Sequence, residues 1–565
     1  MSRFELNEKG VWFYPDTPVK EGEEAKAIWI CSPLKITAIT RDDCNENHGR
    51  LLEFSDPDDV THTWAMPMEC LAADGSDYRR TLLSKGLQIN PSAKGLLTSY
   101  IQTTIPEKRI RCVHKLGWYK EMFVFPQEVI NHPSNSESVI FQASHLLTPQ
   151  YNSKGTLQEW RDNVAYYCIG NTRLMFAVST ALSGPLLHIL EQEGGGFHFT
   201  GKSSGGKTSG LKVASSVYGG PISIQSWRAT GNALESTAAL HNDILLCLDE
   251  LGQLDAKEAT EIGYLLANGQ GKGRADRQGN ARNRLTWRLF FLSSGEINLP
   301  DLIRQSGKKV RAGQEVRVLD ISSDTGFYDM FEELHQYRES KDAAAFSRFL
   351  SDNSEQFYGT AGREFISQIS GNMLNIKIRL KELISEFVEK NKPLNTTGQV
   401  IRALHRFAIV AAGGVIASEL GITGWLPDDV FWSVSSCFEA WLKRRGGTSS
   451  QEEKEILRQV RHIFEKNAQS RFASMENDLS LKIFNMLGYK KIEDGSTFFF
   501  VLSECYKTEI CDGFDPESVT KILREKQWII PDAEGKNTRS EHLPGYSKNI
   551  RCYRFDGEKI FSDDN

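Results

Sequence analysis

The chain has 565 residues, of which 40% are hydrophobic and 25% charged, and its formal net charge is −6. Because a single hydrophobic core stops growing at about 250–300 residues, this length predicts about three or four domains, and the composition excludes a disordered chain. This slightly negative net charge excludes a chain that is basic throughout, so a surface that binds nucleic acid would have to be a local basic patch.

The first 145 residues are predicted to form a β-rich N-terminal domain with a helix or two. Short β-rich runs such as AIWICSPLKITAIT, TWAMP and GWYKEMFVFP alternate there with turn-forming Asn, Asp, Gly and Pro. The opening MSRFELNEKG lacks the basic start and apolar run of a signal peptide, which favours a cytoplasmic protein. Ten cysteines are scattered along the chain without the spacing of a zinc site or a redox pair, so we expect buried thiols in a reducing compartment.

Between about 155 and 192 the periodicity becomes helical and apolar, and this segment ends at three successive glycines, 194–196. Its longest apolar run, Leu174 to Leu190, contains Ser, Thr, Gly, Pro and His and is shorter than the ~20 residues of a membrane span. We interpret this run as a buried helix, with membrane insertion as the alternative. These helices lead into the next domain, which we place at 146–345.

From 197 to about 325 strands and helices alternate, with the strands FHFT, SIQSW, ILLCL, WRLFFLSS and VRVLDIS. This alternation predicts an α/β domain with a parallel sheet built from βαβ units. Residues 346–475 are predicted to be helical. The last segment, 476–565, returns to mixed α and β and contains a helix capped by Asp515 with Pro516 at its first position, which suits a winged helix. A small α/β domain without a nucleic-acid role is the alternative.

A phosphate-binding loop is predicted at 201–208, where GKSSGGKT follows a strand and precedes a helix. Glycines allow the backbone to close around phosphates, so that successive N–H groups and the helix N-terminus point at the anion. Lys207 would reach the β and γ phosphates of ATP, and the Thr208 hydroxyl would bind Mg²⁺. The residues expected to contact the nucleotide are Gly201, Ser204, Gly205, Gly206, Lys207, Thr208 and Ser209.

Two adjacent carboxylates, Asp249 and Glu250, end the apolar strand ILLCL about forty residues after the lysine. Asp249 is expected to hold the metal through water, and Glu250 to polarise the water that attacks the γ phosphate. Paired acids favour hydrolysis over kinase chemistry. Together the loop and the carboxylates indicate an ATPase of the AAA+ type, with 346–475 as its helical lid.

A further apolar strand, Trp287 to Phe291, ends in LSSGE. AAA+ proteins carry a polar sensor at that place, and Ser294 or Ser293 would serve here; an ordinary Ser-Gly turn is the alternative. A complete site also takes an arginine from the neighbouring subunit, which neutralises charge on the γ phosphate. Arg317 is the first candidate, with Arg311 and Arg304 in reserve. Arg402 or Arg406 is expected to act as a second sensor in the lid.

A basic stretch at 268–284 lies between the carboxylates and the sensor strand. Its glycines and Asn280 suit a hairpin turn, and a single acid, Asp276, accompanies its cations. Phosphate contacts from such a loop would not depend on the DNA sequence, and they would weaken as the salt concentration rises. We expect contacts with DNA, and the alternatives are a solvated loop or arginines that face the next subunit's nucleotide. The expected contact residues are Lys272, Arg274, Arg277, Arg282 and Arg284.

With these motifs the chain resembles the family of domain of unknown function nine-two-seven, which is found in phages, plasmids and integrated mobile elements. The resemblance runs through WICSPLKITAITRD, RCVHKLGWY, FTGKSSGGKTSGLKVASSVYG, LDELGQLDAKEATEIGYLLANGQGKGRADR, LSSGE, AGQEVRVLD and VIRALHRFAIVAAGGVIASELGITGW. The family is regarded as helicase-like ATPases, often next to a primase domain, and its cassette-encoded members resemble minichromosome-maintenance helicases.

This resemblance implies a ring, expected to be a homo-hexamer, that moves on single-stranded DNA in its pore when a mobile element is replicated. It also implies that 268–284 is the pore hairpin. No primase signature precedes the ATPase here, so priming would need a separate protein, and little room exists for the helix-2 insert of minichromosome-maintenance proteins. The alternatives are an origin-binding initiator or helicase loader that uses ATP as an assembly switch, and a protein-remodelling or defence ATPase.

Overall fold

The computed structural model describes residues 2–16, 27–131, 137–143, 151–273, 284–307, 317–394, 396–447, 451–476 and 483–562. The chain separates into two compact units. The first contains Met1–Pro393 and Val400–Arg444, and the second contains Leu394–Gln399 and Arg445–Asn565. All the sites discussed below belong to the first unit.

In its described residues, the N-terminal part of the first unit contains three small sheets and two helices. Strands β1 (Arg3–Asn7), β2 (Gly10–Tyr14) and β3 (Ile28–Cys31) form an antiparallel sheet. A mixed sheet has the order β11-β7-β4-β5-β6 and contains β4 (Leu34–Arg41), β5 (Gly49–Ser55), β6 (Thr61–Pro67), β7 (Arg109–Val113) and β11 (Val139–Phe141). The third contains β8 (Gly117–Tyr119), β9 (Met122–Val124) and β10 (Val129–Ile130). Helices α1 (Ser76–Ser84) and α2 (Lys94–Thr103) follow β6, so this part is β-rich, as the sequence predicted.

The centre of the first unit is a five-stranded parallel sheet. Three helices precede it, namely α3 (Leu157–Trp160), α4 (Thr172–Ser183) and α5 (Leu186–Leu190). Its strands are β12 (Gly195–Thr200), β13 (Gln225–Ser226), β14 (Leu245–Asp249), β15 (Phe290–Gly295) and β16 (Val318–Ser322), in the order β13-β14-β15-β12-β16. Between them run α6 (Lys207–Ser215), α7 (Gly231–Leu240), α8 (Ala256–Asn268) and α9 (Leu299–Gln305). The predicted alternation of strands and helices is confirmed.

One strand differs from the prediction. The sequence WRLFF suggested a strand from Trp287, whereas β15 begins at Phe290. The Trp287 backbone N–H donates to the Gly269 carbonyl oxygen at 2.9 Å, so this residue pairs with the end of α8 and not with the sheet. The apolar run is therefore divided between the stem of the basic stretch and the strand.

The sheet is packed on apolar helices, and the run from Leu174 belongs to that packing. Every residue of α4 is buried, and the Phe176 ring contacts the Phe197 ring of β12 with centroids 5.0 Å apart. Gly196 lies against Phe291 of the neighbouring strand, where an added Cβ would come within 2.0 Å of the ring. The interpretation of this run as a buried helix is confirmed.

A group of helices follows the sheet: α10 (Ala343–Gln356), α11 (Thr360–Ser370), α12 (Met373–Asn391), α13 (Gly398–Glu419) and α14 (Pro427–Arg445). By length and composition α13 could cross a membrane, but 78% of its apolar window is buried inside the protein. A buried apolar helix of this kind is typical of a protein core. The helical character predicted for this segment is confirmed, and its role as a lid stays a prediction.

The first helix that lies wholly in the second unit is α15 (Gln451–Asn467), a segment predicted to belong with the preceding helices. The sheet of this unit contains β17 (Phe472–Ser474), β18 (Gly488–Glu493), β19 (Ser496–Leu502), β20 (Ile529–Ile530), β21 (Arg539–Glu541) and β22 (Ile550–Asp556). The helices α16 (Ser503–Cys505), α17 (Pro516–Glu525) and α18 (Gly557–Phe561) complete it. Asp515 caps α17 by accepting the Ser518 N–H, as predicted. The unit is a small α/β domain, and its description as a winged helix stays a prediction.

The cysteines are only partly as expected. Most are buried, and burial raises the pKa of the Cys31 thiol to about 12 and of the Cys112 thiol to about 11. Cys44, however, is exposed, and Cys70 and Cys505 are half-buried. The expectation of buried thiols is therefore wrong for Cys44, which lies in the polar turn after β4.

We predict that Gly196→Ala lowers the free energy of unfolding by about 1–3 kcal/mol, because the new methyl group must displace the Phe291 ring. Gly95→Ala in α2 is the matched control, since its added Cβ meets no atom within 4 Å. We expect the control to be neutral or slightly stabilising. Thermal unfolding of the two purified variants gives the comparison, and equal melting temperatures would contradict the packing described here.

Candidate functional site

The loop between β12 and α6 has the backbone geometry of a phosphate cradle. Gly206 has φ +85° and forms the N-cap of α6, a left-handed conformation that favours glycine. At Gly201 an added Cβ would lie 1.9 Å from the Ser323 hydroxyl oxygen, so a side chain has no room there. The loop therefore closes tightly and leads into the N-terminus of α6, where free N–H groups attract anions.

Lys207 is the first residue of α6, and its side chain folds back over the loop. Its Nζ donates to the carbonyl oxygen of Gly201 at 2.9 Å and also to that of Lys202. Only 7% of the residue is exposed. The ammonium group is therefore held above the loop backbone, where a bound phosphate chain would meet it.

Thr208 and Asp249 come together across the end of the sheet. The Thr208 hydroxyl donates to Asp249 Oδ2 at 3.2 Å, and Asp249 is the last residue of β14. A hydroxyl and a carboxylate are oxygen ligands of the kind that Mg²⁺ prefers beside substrate phosphates. The pair fits a magnesium ion that is bound through one carboxylate and the nucleotide.

Glu250 follows in a left-handed conformation, with φ +61°. Such a conformation is uncommon for a residue with a Cβ and occurs at functional sites. It is fixed by the Glu250 backbone N–H, which lies 3.1 Å from Asp249 Oδ1 and 3.4 Å from the Ser294 hydroxyl oxygen. The Glu250 backbone is thereby tied to both Asp249 and Ser294.

The two candidate sensor serines have different surroundings. Ser294, near the end of β15, donates its hydroxyl to Asp249 Oδ1 and so belongs to the candidate site. Ser293 points into the core, where it accepts the Trp227 indole N–H at 2.7 Å and lies 2.9 Å from His198 Nδ1. The structure therefore brings Ser294, and not Ser293, to the carboxylates.

His198 completes the buried network under the sensor strand. Its Nε2 lies 3.0 Å from the Ile297 carbonyl oxygen, which can only accept a hydrogen bond. Because the Trp227 indole can only donate to Ser293, the serine hydroxyl is available to donate to Nδ1. A neutral ring with its proton on Nε2 satisfies every partner, and burial lowers the pKa of His198 in agreement.

The Ser209 side chain makes contacts outside the loop. Its hydroxyl lies 2.7 Å from the Ser347 hydroxyl and 2.9 Å from the Ser351 hydroxyl, both on α10. Its side chain therefore joins α6 to α10, and the contact of Ser209 with the nucleotide stays a prediction for its backbone N–H in the first turn of α6. Ser204 and Gly205 lie in the loop as predicted, and Ser204 has φ +60°.

The arginines lie far from this site in their own chain. Arg317 precedes β16, its carbonyl oxygen accepts the Gly196 N–H at 2.8 Å, and its guanidinium stacks on Tyr264 at 3.9 Å. Arg406 of α13 lies against Gly195, the first residue of β12. At about 3.3 Å per residue, the length of β12 separates both from the phosphate loop. Burial, and then the neighbouring Arg317, lowers the pKa of Arg406 to about 10.

Arg402 is exposed on α13, one turn before Arg406, and acts electrostatically on it. The structure thus groups Arg402 with Arg406 and Arg317, at the opposite end of the sheet from Lys207. It does not bring Arg406 to its own phosphates as a second sensor, because the position of α13 on the sheet prevents this. Arg304 pairs with Asp301 at 2.6 Å on the surface, and Arg311 lies outside the described residues.

The stem of the basic stretch is a hairpin. Gln270 and Thr286 pair in an antiparallel bridge, and the Gly271 N–H donates to the Leu285 carbonyl oxygen at 2.9 Å. Lys272 pairs with Glu261 of α8 at 2.8 Å, with both side chains about half exposed. Arg284 lies across Gly273, where an added Cβ would be 3.0 Å from its Nη2. Arg274, Arg277 and Arg282 lie outside the described residues.

Sequence reasoning missed His198, Trp227 and Glu235. His198 stands in FHFT as one polar residue in an apolar strand, and Trp227 ends the short SIQSW run. Glu235 of α7 is 0% exposed and accepts the Lys272 N–H at 3.2 Å. The available signal was a polar residue at a core position, a pattern that identifies no partner without the tertiary structure.

A family model described as Domain of unknown function (DUF927) matches residues 4–286. This range contains the phosphate loop and the carboxylates and ends at the hairpin stem, before Ser294. No curated protein matches the chain. A solved structure described as "SCCmec type IV Cch - active helicase" is similar in fold, with a TM-score of 0.68 and 19% sequence identity, covering 98% of this chain and 97% of the other. At that identity the likeness concerns the fold alone.

We predict that His198→Gln makes stability less dependent on pH in mildly acidic solution. Burial keeps the folded-state pKa of His198 below the value of about 6.5 that the unfolded chain has, so stability is lost as the pH falls from 6.5 toward the folded pKa. Removing this group should decrease the slope of the free energy of unfolding against pH by up to about 1.36 kcal/mol per pH unit. Urea unfolding at several pH values measures it. The exposed His405 supplies the control variant His405→Gln, and equal slopes for the two variants would refute the neutral buried ring.

Proposed function

This chain belongs to the DUF927 family, and from that premise we propose that it is an AAA+ ATPase that moves on DNA as a helicase in the replication of a mobile genetic element. One observation carries the proposal. Lys207 and Thr208 on one side, and Asp249, Glu250 and Ser294 on the other, meet at the carboxyl end of one parallel sheet. Open parallel sheets bind ligands at this edge.

Hydrolysis follows from what these side chains do. The loop N–H groups and Lys207 hold the β and γ phosphates, and Thr208 and Asp249 would hold the magnesium ion. Magnesium, when bound, neutralises charge on the phosphate oxygens. Glu250 orients a water molecule and takes its proton while the water oxygen bonds to the γ phosphorus. The bond from that phosphorus to the bridging oxygen breaks, and ADP and phosphate leave.

Ser294 is proposed as the polar sensor. Its hydroxyl donates to Asp249, and the Glu250 N–H lies 3.4 Å from the same oxygen, so it contacts both parts of the hydrolytic pair. A γ phosphate offers a stronger acceptor for this hydroxyl than a carboxylate that is already engaged. A shift of Ser294 between these acceptors would report to the rest of the sheet which nucleotide is bound.

The arginines support a ring, which we propose to be a homo-hexamer. Arg317 lies one strand length, about 17 Å, from its own phosphate loop, since β16 pairs with β12 from Val318 opposite Gly196 to Ser322 opposite Thr200. It therefore acts only on the nucleotide of a neighbouring subunit, where its charge stabilises the transition state. Arg304 and Arg311 are the reserves. Arg402 and Arg406 lie at the same end as Arg317, so we move their proposed role from their own nucleotide to that interface.

We propose that the basic hairpin contacts single-stranded DNA in the pore of the ring. The exposed pair of Lys272 with Glu261 stabilises the protein little, so this lysine can exchange its partner for a DNA phosphate. Arg284 lies at the same stem. Such contacts weaken as salt is raised. The Cch structure is described as an active helicase, and its similar fold supports the same class of activity here.

The remaining parts complete the proposal. Helices α10 to α14 would form the lid, the second unit a winged-helix-like DNA-binding domain, and the β-rich part an accessory domain, with boundaries near 145, 345 and 475. Priming would come from a separate replication protein. The fold and the buried α13 suit a cytoplasmic enzyme.

The proposal is tested by ATP hydrolysis with and without single-stranded DNA, followed by strand displacement on a forked duplex. We expect Lys207→Ala to abolish hydrolysis. Lys272→Ala with Arg274→Ala should keep basal hydrolysis and lose DNA stimulation and unwinding. Lys341→Ala with Lys392→Ala, two exposed lysines outside the basic stretch, removes the same charge and should behave as the wild type.

The other outcomes identify the alternatives. DNA-stimulated hydrolysis without unwinding would indicate the initiator or loader, in which ATP is an assembly switch. A rate of ATP hydrolysis that does not change when DNA is added would indicate a remodelling or defence ATPase. Normal unwinding by the hairpin double variant would show that the hairpin does not contact the translocating strand.

A further inference from the structure

A buried carboxylate on α7 holds the stem of the basic hairpin. Glu235 is 0% exposed, and its Oε1 accepts the Lys272 backbone N–H at 3.2 Å. A buried carboxylate has a high desolvation cost, so one that accepts a backbone hydrogen bond has a defined structural role. Lys272 directly follows Gly271, whose N–H is bonded across the stem to Leu285.

The stem is shaped to receive this carboxylate. Gly271 is buried against Glu235, and an added Cβ would lie 2.7 Å from Glu235 Oε2. Only glycine at 271 allows the hairpin backbone to approach the carboxylate this closely. The missing side chain at Gly271 and the buried carboxylate of Glu235 therefore belong to one contact.

The segment that leads into α7 is joined to the candidate site. The Trp227 backbone N–H donates to the Asp249 carbonyl oxygen at 3.2 Å, and its indole donates to Ser293, next to the sensor Ser294. Three residues later Thr230 caps α7, and Glu235 lies in the second turn. Trp227 and Leu234 of α7 belong to one buried apolar cluster, so a displacement of Trp227 is carried to α7 and to Glu235.

We propose that Glu235 is the positioning residue through which the nucleotide site moves the basic hairpin. The inference rests on the proposed function. A change at Asp249 and the sensor strand shifts Trp227, α7 moves with it, and the Glu235 carboxylate pulls the Lys272 backbone. The hairpin also continues into β15 through Trp287, whose indole N–H donates to the Leu266 carbonyl oxygen at 3.0 Å. The hairpin is thus held at its base and moved from its side.

The test compares Glu235→Leu with Glu235→Gln in the full-length chain, measuring basal hydrolysis, stimulation by single-stranded DNA and strand displacement. Leucine has a similar volume and no acceptor, whereas glutamine keeps an acceptor oxygen. We expect Glu235→Leu to keep basal hydrolysis within about twofold and to lose about tenfold in DNA stimulation, the size expected for one hydrogen bond. Glu235→Gln should recover most of the stimulation. Glu258→Leu, at an exposed position of α8, is the control.

A second variant distinguishes loss of this contact from misfolding of Glu235→Leu. Gly271→Ala leaves the carboxylate in place and forces the stem away from it, and we expect the same loss of DNA stimulation. Wild-type stimulation in Gly271→Ala and Glu235→Leu would overturn the inference, as would an equal loss of basal and stimulated hydrolysis. If the wild-type enzyme itself ignores DNA, the proposed function fails, and that result differs from a selective loss in the variants.

Discussion

The Asp249 carboxylate is the point on which the arrangement of the site depends. Its oxygens accept the Thr208 and Ser294 hydroxyls and the Glu250 N–H, and its carbonyl oxygen accepts the Trp227 N–H. One residue at the end of one strand therefore joins the phosphate-loop helix, the sensor strand and the segment that leads to α7. Because the partners come from different elements, a change in what Asp249 binds is transmitted to each of these elements.

Under this carboxylate lies a buried polar network whose side chains all have hydrogen-bond partners. His198, Ser293 and Trp227 bond one another inside an otherwise apolar layer, and the neutral imidazole leaves no charge in the core. A polar network of this kind specifies one arrangement of its strands when every member has its partner. The stem of the basic stretch is joined to this layer through Trp287, which precedes β15.

Much of this was predictable because the decisive signals are local. The spacing of GKSSGGKT after a strand, and of Asp249 and Glu250 at the end of another, placed both halves of the candidate site. The choice between Ser293 and Ser294 was open, because strand alternation says only that they face opposite sides. Arg406, Ser209 and Glu235 could not be assigned, since their positions depend on how α13, α10 and the hairpin pack against the core. Those contacts join residues that are far apart in the sequence and leave no local pattern.

The central claim is that ATP is bound and split between the phosphate loop and Asp249 with Glu250. It is tested most directly by a structure of the full-length Glu250→Gln variant with Mg²⁺ and ATP. The account predicts a γ phosphate within hydrogen-bond distance of Lys207 Nζ and Ser294 Oγ, with the metal between Thr208 and the phosphates. Nucleotide bound elsewhere, or a folded protein that binds none while Lys207 stays on the Gly201 and Lys202 carbonyls, would contradict it.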